Sequence, residues 1–213
     1  MNDVVAKLKA TTGIQRTPTP KLDLFRMRGF LTPEECEGTI ALIDQNRQPS
    51  TQSDDNGDPT YRTSETCFFD SSEPLIREID RRLHTLLGIP EGWSEPLQGQ
   101  RYAVGQEFKQ HTDYFEPGGA DLLKRSRTVG QRTWTAMVYL NEPEAGGATR
   151  FKGIKKTVSP ECGTLLAWNN LKPDGSPNYA TLHHGMKVRA GTKYIVTKWF
   201  TERPWPRTNG QDN

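Results

Sequence analysis

Apolar positions change their period near residue 98, and the change divides the chain into a helical part and a β part. In the first part they recur at helical spacing. Leu75, Ile76, Ile79, Leu83, Leu86 and Leu87 fall on one stripe, which predicts a helix over 73–87 closed by Gly88. An earlier helix starts at Thr32-Pro33-Glu34-Glu35: Thr32 can accept an amide hydrogen bond, Pro33 suits the first helical position, and Glu35 can reach back. It runs to about Gln45. Residues 1–12 form a short amphipathic segment with Val4, Val5 and Leu8 on one side. Thr17-Pro18-Thr19-Pro20 reads as an extended linker, because each proline removes an amide donor and restrains its predecessor.

From Gln98 onward the apolar runs shorten to β-type stretches at 133–140, 163–168 and 192–200, separated by glycine, proline and asparagine. That pattern predicts a mainly β fold with N-terminal helices, a sandwich or jelly roll rather than a parallel sheet. The chain divides into an N-terminal extension and linker (1–20), a helical support region (21–97), a β core (98–206) and a tail (207–213), together one functional domain. Residues 46–66, with Asp54-Asp55-Asn56-Gly57-Asp58-Pro59, are rich in turn formers and are expected to be a mobile loop. Residues 116–131 and 169–178 are longer than ordinary connections and are expected to act as lids.

Lysine plus arginine total 28 against 26 for aspartate plus glutamate, so the net charge of +2 sets up no field that would select a polyanion. The clusters Lys124-Arg125-Arg127 and Lys152-Lys155-Lys156 read as solvated faces, and no interleaved basic and aromatic stretch suggests nucleic acid. Three separated cysteines, Cys36, Cys67 and Cys162, argue against a disulfide framework or a cysteine zinc site and for a reducing compartment. No stretch approaches the roughly 20 apolar residues that span a bilayer. A soluble cytoplasmic protein, with no membrane partner, is expected.

The chemistry concentrates in the histidines. His111-Thr112-Asp113 places an imidazole and a carboxylate two residues apart, on the same face of an extended chain. Alone the pair is a weak signal. A second histidine would complete a two-histidine, one-carboxylate set that leaves positions open on non-haem iron. His183 and His184 both qualify, and in a strand they point to opposite faces, so one of them enters the site. His84 reads as a partly exposed helical residue. Trp134, Tyr139, Trp168 and Phe200 read as core aromatics.

The run from Tyr102 through Gly105, Phe108, His111 and Asp113 to Phe115 resembles the prolyl 4-hydroxylase branch of the 2-oxoglutarate and Fe(II) dioxygenases. Further matches follow in order: Arg132, Tyr139-Leu140-Asn141, Gly146-Gly147-Ala148-Thr149-Arg150-Phe151, Pro160 with Gly163, Leu182-His183-His184-Gly185, and Gly191-Thr192-Lys193 with Trp199. Arg62-Thr63-Ser64 resembles a family segment that precedes a strand. The resemblance implies a double-stranded β-helix (jelly roll) core over roughly residues 98–203.

It also implies the site. His111, Asp113 and His183 would hold Fe(II), and His184 would face away. Lys193, ten residues beyond the metal histidine, would hold the distal carboxylate of 2-oxoglutarate, with Tyr102, Thr149 and Tyr139 as further cosubstrate contacts. Arg132, Arg62, Ser64 and Trp199 would meet the substrate. Dioxygen would be the other cosubstrate, with ascorbate as a stimulant of turnover. Alternation along the last strand puts Lys193, Ile195, Thr197 and Trp199 on one face, consistent with that assignment. Two departures stand out: Phe108 replaces a family tyrosine, and Ala148 replaces a frequent glutamate.

The implied activity is carbon hydroxylation, most directly of peptidyl proline at C4 in a peptide or protein, with succinate and carbon dioxide as coproducts. An oxygenase acting on a free amino acid or other small molecule is a second reading. A non-catalytic sensor binding 2-oxoglutarate and metal is a third, from a different class.

Overall fold

The computed structural model describes residues 2–51, 58–125 and 127–206. The run Asp54 to Gly57, Ser126 and the tail 207–213 lie outside the described residues. Two antiparallel sheets face each other and form a double-stranded β-helix, with helices packed on the outer side of the larger sheet.

The helical part follows its sequence signals closely. Helix α1 spans Asn2–Ala10, α2 Pro33–Asn46 and α3 Pro74–Leu87. Thr32 caps α2 in a complete capping box: its hydroxyl accepts the Glu35 amide, and the Glu35 carboxylate accepts the Thr32 amide. Gly88 closes α3 at φ 70°, a left-handed conformation that suits a residue without Cβ. The N-terminal extension is anchored to the rest of the domain. Val4 and Leu8 of α1 are buried against α3, and β1 (Ile14–Arg16) pairs with β2 (Leu24–Met27) at the edge of the larger sheet. Only the proline-rich turn between β1 and β2 remains as the expected irregular segment.

The larger sheet adds β3 (Arg47–Pro49), β4 (Glu65–Phe68), β5 (Gln98–Tyr102), β7 (Arg132–Tyr139), β11 (Leu165–Asn169) and β14 (Lys193–Thr201), in the order β1-β2-β11-β7-β14-β5-β4-β3. The smaller sheet is β10 (Lys156–Val158), β9 (Thr149–Phe151), β12 (His183–Gly185) and β6 (Phe108–His111), in that order. A two-stranded pair, β8 (Ala145–Gly146) with β13 (Val188–Ala190), completes the strands.

Strand alternation creates two cores. Trp134, Ala136 and Val138 of β7 pack toward the helices with Val196 and Phe200, while Met137 and Tyr139 face the smaller sheet with Tyr102, Phe151, Trp168 and Ile195. The expected core aromatics Trp134, Tyr139, Trp168 and Phe200 are all buried.

Three expectations need correction. His84 is buried, not partly exposed: its ring nitrogens lie 3.0 Å from the Ile89 carbonyl and 3.1 Å from the Ser94 hydroxyl, and its ring meets Phe200 edge-on. Residues 47–49, assigned to a mobile loop, form β3, because pairing with β4 satisfies their backbone. The stretch 116–131 contains a short helix, α4 (Ala120–Arg125).

Candidate active site

Neighbouring strands β6 and β12 place His111 directly opposite His183, both facing the inner core. The chain turns just after β6 and brings Asp113 back to the same point. One ligand atom from each of the three residues lies within 4.8 Å of the others. Backbone carbonyls fix both rings: Nδ1 of His111 is 2.7 Å from the Lys109 oxygen and Nδ1 of His183 is 3.0 Å from the Thr181 oxygen. Each ring therefore carries its proton on Nδ1 and leaves Nε2 as a lone-pair donor.

Asp113 is held from the opposite sheet. The Thr135 hydroxyl of β7 donates to Oδ2 at 2.7 Å, and the Asn170 amide donates to that hydroxyl at 2.9 Å. Oδ1 stays on the side of His111, 3.7 Å from its Nε2. Burial pushes the Asp113 carboxyl up, but the imidazoles of His183 and His111 and the Thr135 hydrogen bond outweigh it and hold it below the usual carboxylate range. Burial, reinforced by His183, holds His111 well below the ordinary histidine range, so it is a neutral ligand. Two imidazole nitrogens and one carboxylate oxygen, each residue oriented by a second hydrogen bond, fit a divalent iron ion and leave coordination positions open. His184 faces the other way and meets Glu107 at 2.9 Å.

Lys193 opens β14 in the same cavity. It is 1% exposed, and among the described residues no carboxylate lies within ion-pair distance of it. Burial alone lowers its ammonium to about 7. Its Nζ stands over the rings of Tyr102, at 5.0 Å, and Tyr139, at 5.5 Å. A buried cation without a counter-ion is costly unless a ligand supplies the anion. Thr149 also lines this cavity, and the Tyr139 hydroxyl donates to it at 2.7 Å, so Tyr139 supports Thr149 from behind.

Of the residues assigned to substrate, Arg62 and Trp199 line both the cavity and the groove outside it, Arg132 lines the groove, and Ser64 is buried and lines neither. Arg132 lies between the rings of Phe115 and Trp199, with its Nε 2.5 Å from Glu95 and one terminal nitrogen donating to the Asp113 carbonyl at 3.2 Å. It is thus engaged within the protein and braces Asp113. Arg62 spans the Thr51 carbonyl, at 2.7 Å, and the buried Ser64 hydroxyl, at 3.3 Å, and stacks over Phe108. Phe108 in turn stacks on His111, so the aromatic plane at this position is retained without its phenolic hydroxyl. Outside lies an open groove of about 570 Å³, which shares Arg62, Phe108, His111, Asp113 and Trp199 with the inner cavity.

Glu95, Thr135 and Asn170 escaped the sequence reading. Alternation along β7 carried a usable signal for Thr135, since it shares a face with Met137 and Tyr139.

Comparison with known proteins agrees with this geometry. Residues 97–201 match the family model of the 2OG-Fe(II) oxygenase superfamily, and the chain belongs to that superfamily, in its prolyl 4-hydroxylase branch. It is 33% identical to probable prolyl 4-hydroxylase 8 of Arabidopsis thaliana over 83% of this chain and 67% of the relative. It is 31% identical to prolyl 4-hydroxylase subunit alpha-1 of Gallus gallus, matching 84% of this chain and 36% of that subunit, so it spans about a third of that relative's length. Among solved structures, the collagen prolyl hydroxylase of Paramecium bursaria Chlorella virus-1, in complex with 2-oxoglutarate, superposes with a TM-score of 0.66 at 27% identity. That match covers 84% of this chain and 95% of the viral one.

Proposed function

We propose that this protein is a 2-oxoglutarate- and Fe(II)-dependent dioxygenase that hydroxylates prolyl residues of a polypeptide at C4. The observation that carries the reading is one cavity holding both the His111, Asp113 and His183 ligand set and the buried, carboxylate-free Lys193. Bound iron with 2-oxoglutarate and dioxygen supplies the oxidising power that turns a substrate C–H into C–OH, releasing succinate and carbon dioxide.

The chain's own residues perform the selection. His111, Asp113 and His183 offer the metal one face only, and Lys193 fixes the far carboxylate of the diacid. The inner cavity measures about 40 Å³ with the side chains as they stand, so entry of a five-carbon diacid requires outward movement at its mouth, where Arg62 and Phe108 lie. The open groove outside supports a polypeptide rather than a small enclosed substrate. Tyr61, Phe108, Tyr114, Tyr179, Trp199 and Trp205 line it, and such aromatic surfaces suit the preformed extended conformation of proline-rich chains. The free thiols Cys36, Cys67 and Cys162 support work in a reducing compartment, the cytoplasm among them.

The test is succinate release from 2-oxoglutarate by the iron-loaded protein, with and without proline-containing peptides, and with Asp113→Ala as control. Peptide-stimulated succinate with a mass gain of one oxygen on proline is the expected result. Asp113→Ala should fold and release none. Turnover that peptides leave unchanged would redirect the search to small molecules, 2-oxoglutarate binding without turnover would leave a sensing role, and absence of both would overturn the reading.

A further inference from the structure

Gln100 is 1% exposed, yet nothing in the proposed chemistry uses it. Its side chain lines the inner cavity together with the metal ligands and Lys193. The carboxamide oxygen is taken: the Thr197 hydroxyl donates to it at 2.9 Å. That bond fixes which way the amide points. Its nitrogen is left with no hydrogen-bond partner among the described residues. Buried amide donors are almost always satisfied, and an orphan bears the full desolvation penalty. A cavity ligand with an acceptor oxygen would remove the penalty.

Strand register says which oxygen. On β14 and β5, Lys193 pairs with Tyr102 and Ile195 pairs with Gln100, so the carboxamide sits one two-residue step along the sheet from the ammonium. That step is roughly 6.8 Å, comparable with the length of a five-carbon diacid. A ligand anchored at Lys193 by one carboxylate therefore presents its other end at the level of Gln100, beside the metal ligands.

Resting on the function proposed above, we infer that Gln100 binds the cosubstrate: its amide nitrogen donates to the carboxylate of 2-oxoglutarate that lies at the metal, while Lys193 holds the distal one. Thr197 is the positioning residue that orients the amide. The two ends of the diacid are thus read by adjacent steps of one strand pair.

The test compares two ligands on Fe(II)-loaded protein kept free of dioxygen, using calorimetry. 2-Oxoglutarate carries both carboxylates; levulinate keeps the distal carboxylate and the ketone but has a methyl group in place of the other. Gln100→Leu should bind 2-oxoglutarate roughly ten- to a hundredfold more weakly, the loss expected for a hydrogen bond to a charged group, and bind levulinate as the parent does. Gln100→Leu combined with Thr197→Val, which leaves no orphaned hydroxyl, should give the same selective loss if the single variant folds poorly. Equal losses for both ligands would assign Gln100 a packing role and overturn the inference, as would unchanged affinity for 2-oxoglutarate. A parent protein that binds neither ligand would instead overturn the function on which the inference rests.

Discussion

Lys193 shows how one buried side chain sets a pH limit. Anion binding needs its charged form, and burial lowers its ammonium to about 7 in the free protein. A bound dicarboxylate favours the charged form and raises that value, so binding takes up a proton above pH 7. The dissociation constant of 2-oxoglutarate should therefore rise with pH above about 7, approaching tenfold per unit. Calorimetry between pH 6.5 and 9 reads this directly, and Lys193→Met should bind weakly with no such slope. A flat profile in the parent would mean that another cation holds the distal carboxylate. Local chain geometry alone marked only His111 and Asp113, two residues apart on one face of an extended segment, whereas His183 and Lys193 were legible through the ordered family motifs around them. Gln100 and Glu95 were not. Each is an ordinary polar residue whose role appears only once cross-strand register places it against the cavity or against Arg132.

At the scale of elements, β7 is the hub. It lies between β11 and β14, and its alternate residues serve the helical core and the site. Thr135→Val keeps the shape but removes the hydroxyl between Asn170 and Asp113, so iron affinity should fall roughly ten- to a hundredfold with the fold retained; unchanged iron affinity would show that the hydroxyl does not orient the carboxylate. The turn before β11 is the second critical junction. Gly163 has φ 70°, and a Cβ there would stand 2.2 Å from the Leu31 carbonyl oxygen. Gly163→Ala should therefore lower stability by more than about 2 kcal/mol in denaturant unfolding; a loss below 0.5 kcal/mol would mean the loop before α2 yields freely. The capping box of α2 and the apolar patterns of α3, β7, β11 and β14 were readable from sequence. Short strands such as β1 and β3 were not, since three residues carry no period and their pairing partners lie elsewhere in the chain.

For the whole molecule, the notable arrangement is that the site draws on both layers. His111 and His183 belong to the smaller sheet, while Thr135, Lys193 and the bracing Arg132 belong to the larger one, and Asp113 joins them. An ion held by His111, Asp113 and His183, together with a diacid reaching Lys193, would act as a clasp between two leaves. Resistance to heat should then report occupancy. Loading with Fe(II) and 2-oxoglutarate at a hundred times the dissociation constant should add about 2.7 kcal/mol, visible as a rise in melting temperature that Asp113→Ala abolishes. An unchanged melting temperature in the parent would mean that the folded protein does not bind the pair, and would overturn the clasp. If the clasp operates, supply of iron and of a central metabolic acid governs not only how fast this protein works but how long each copy survives.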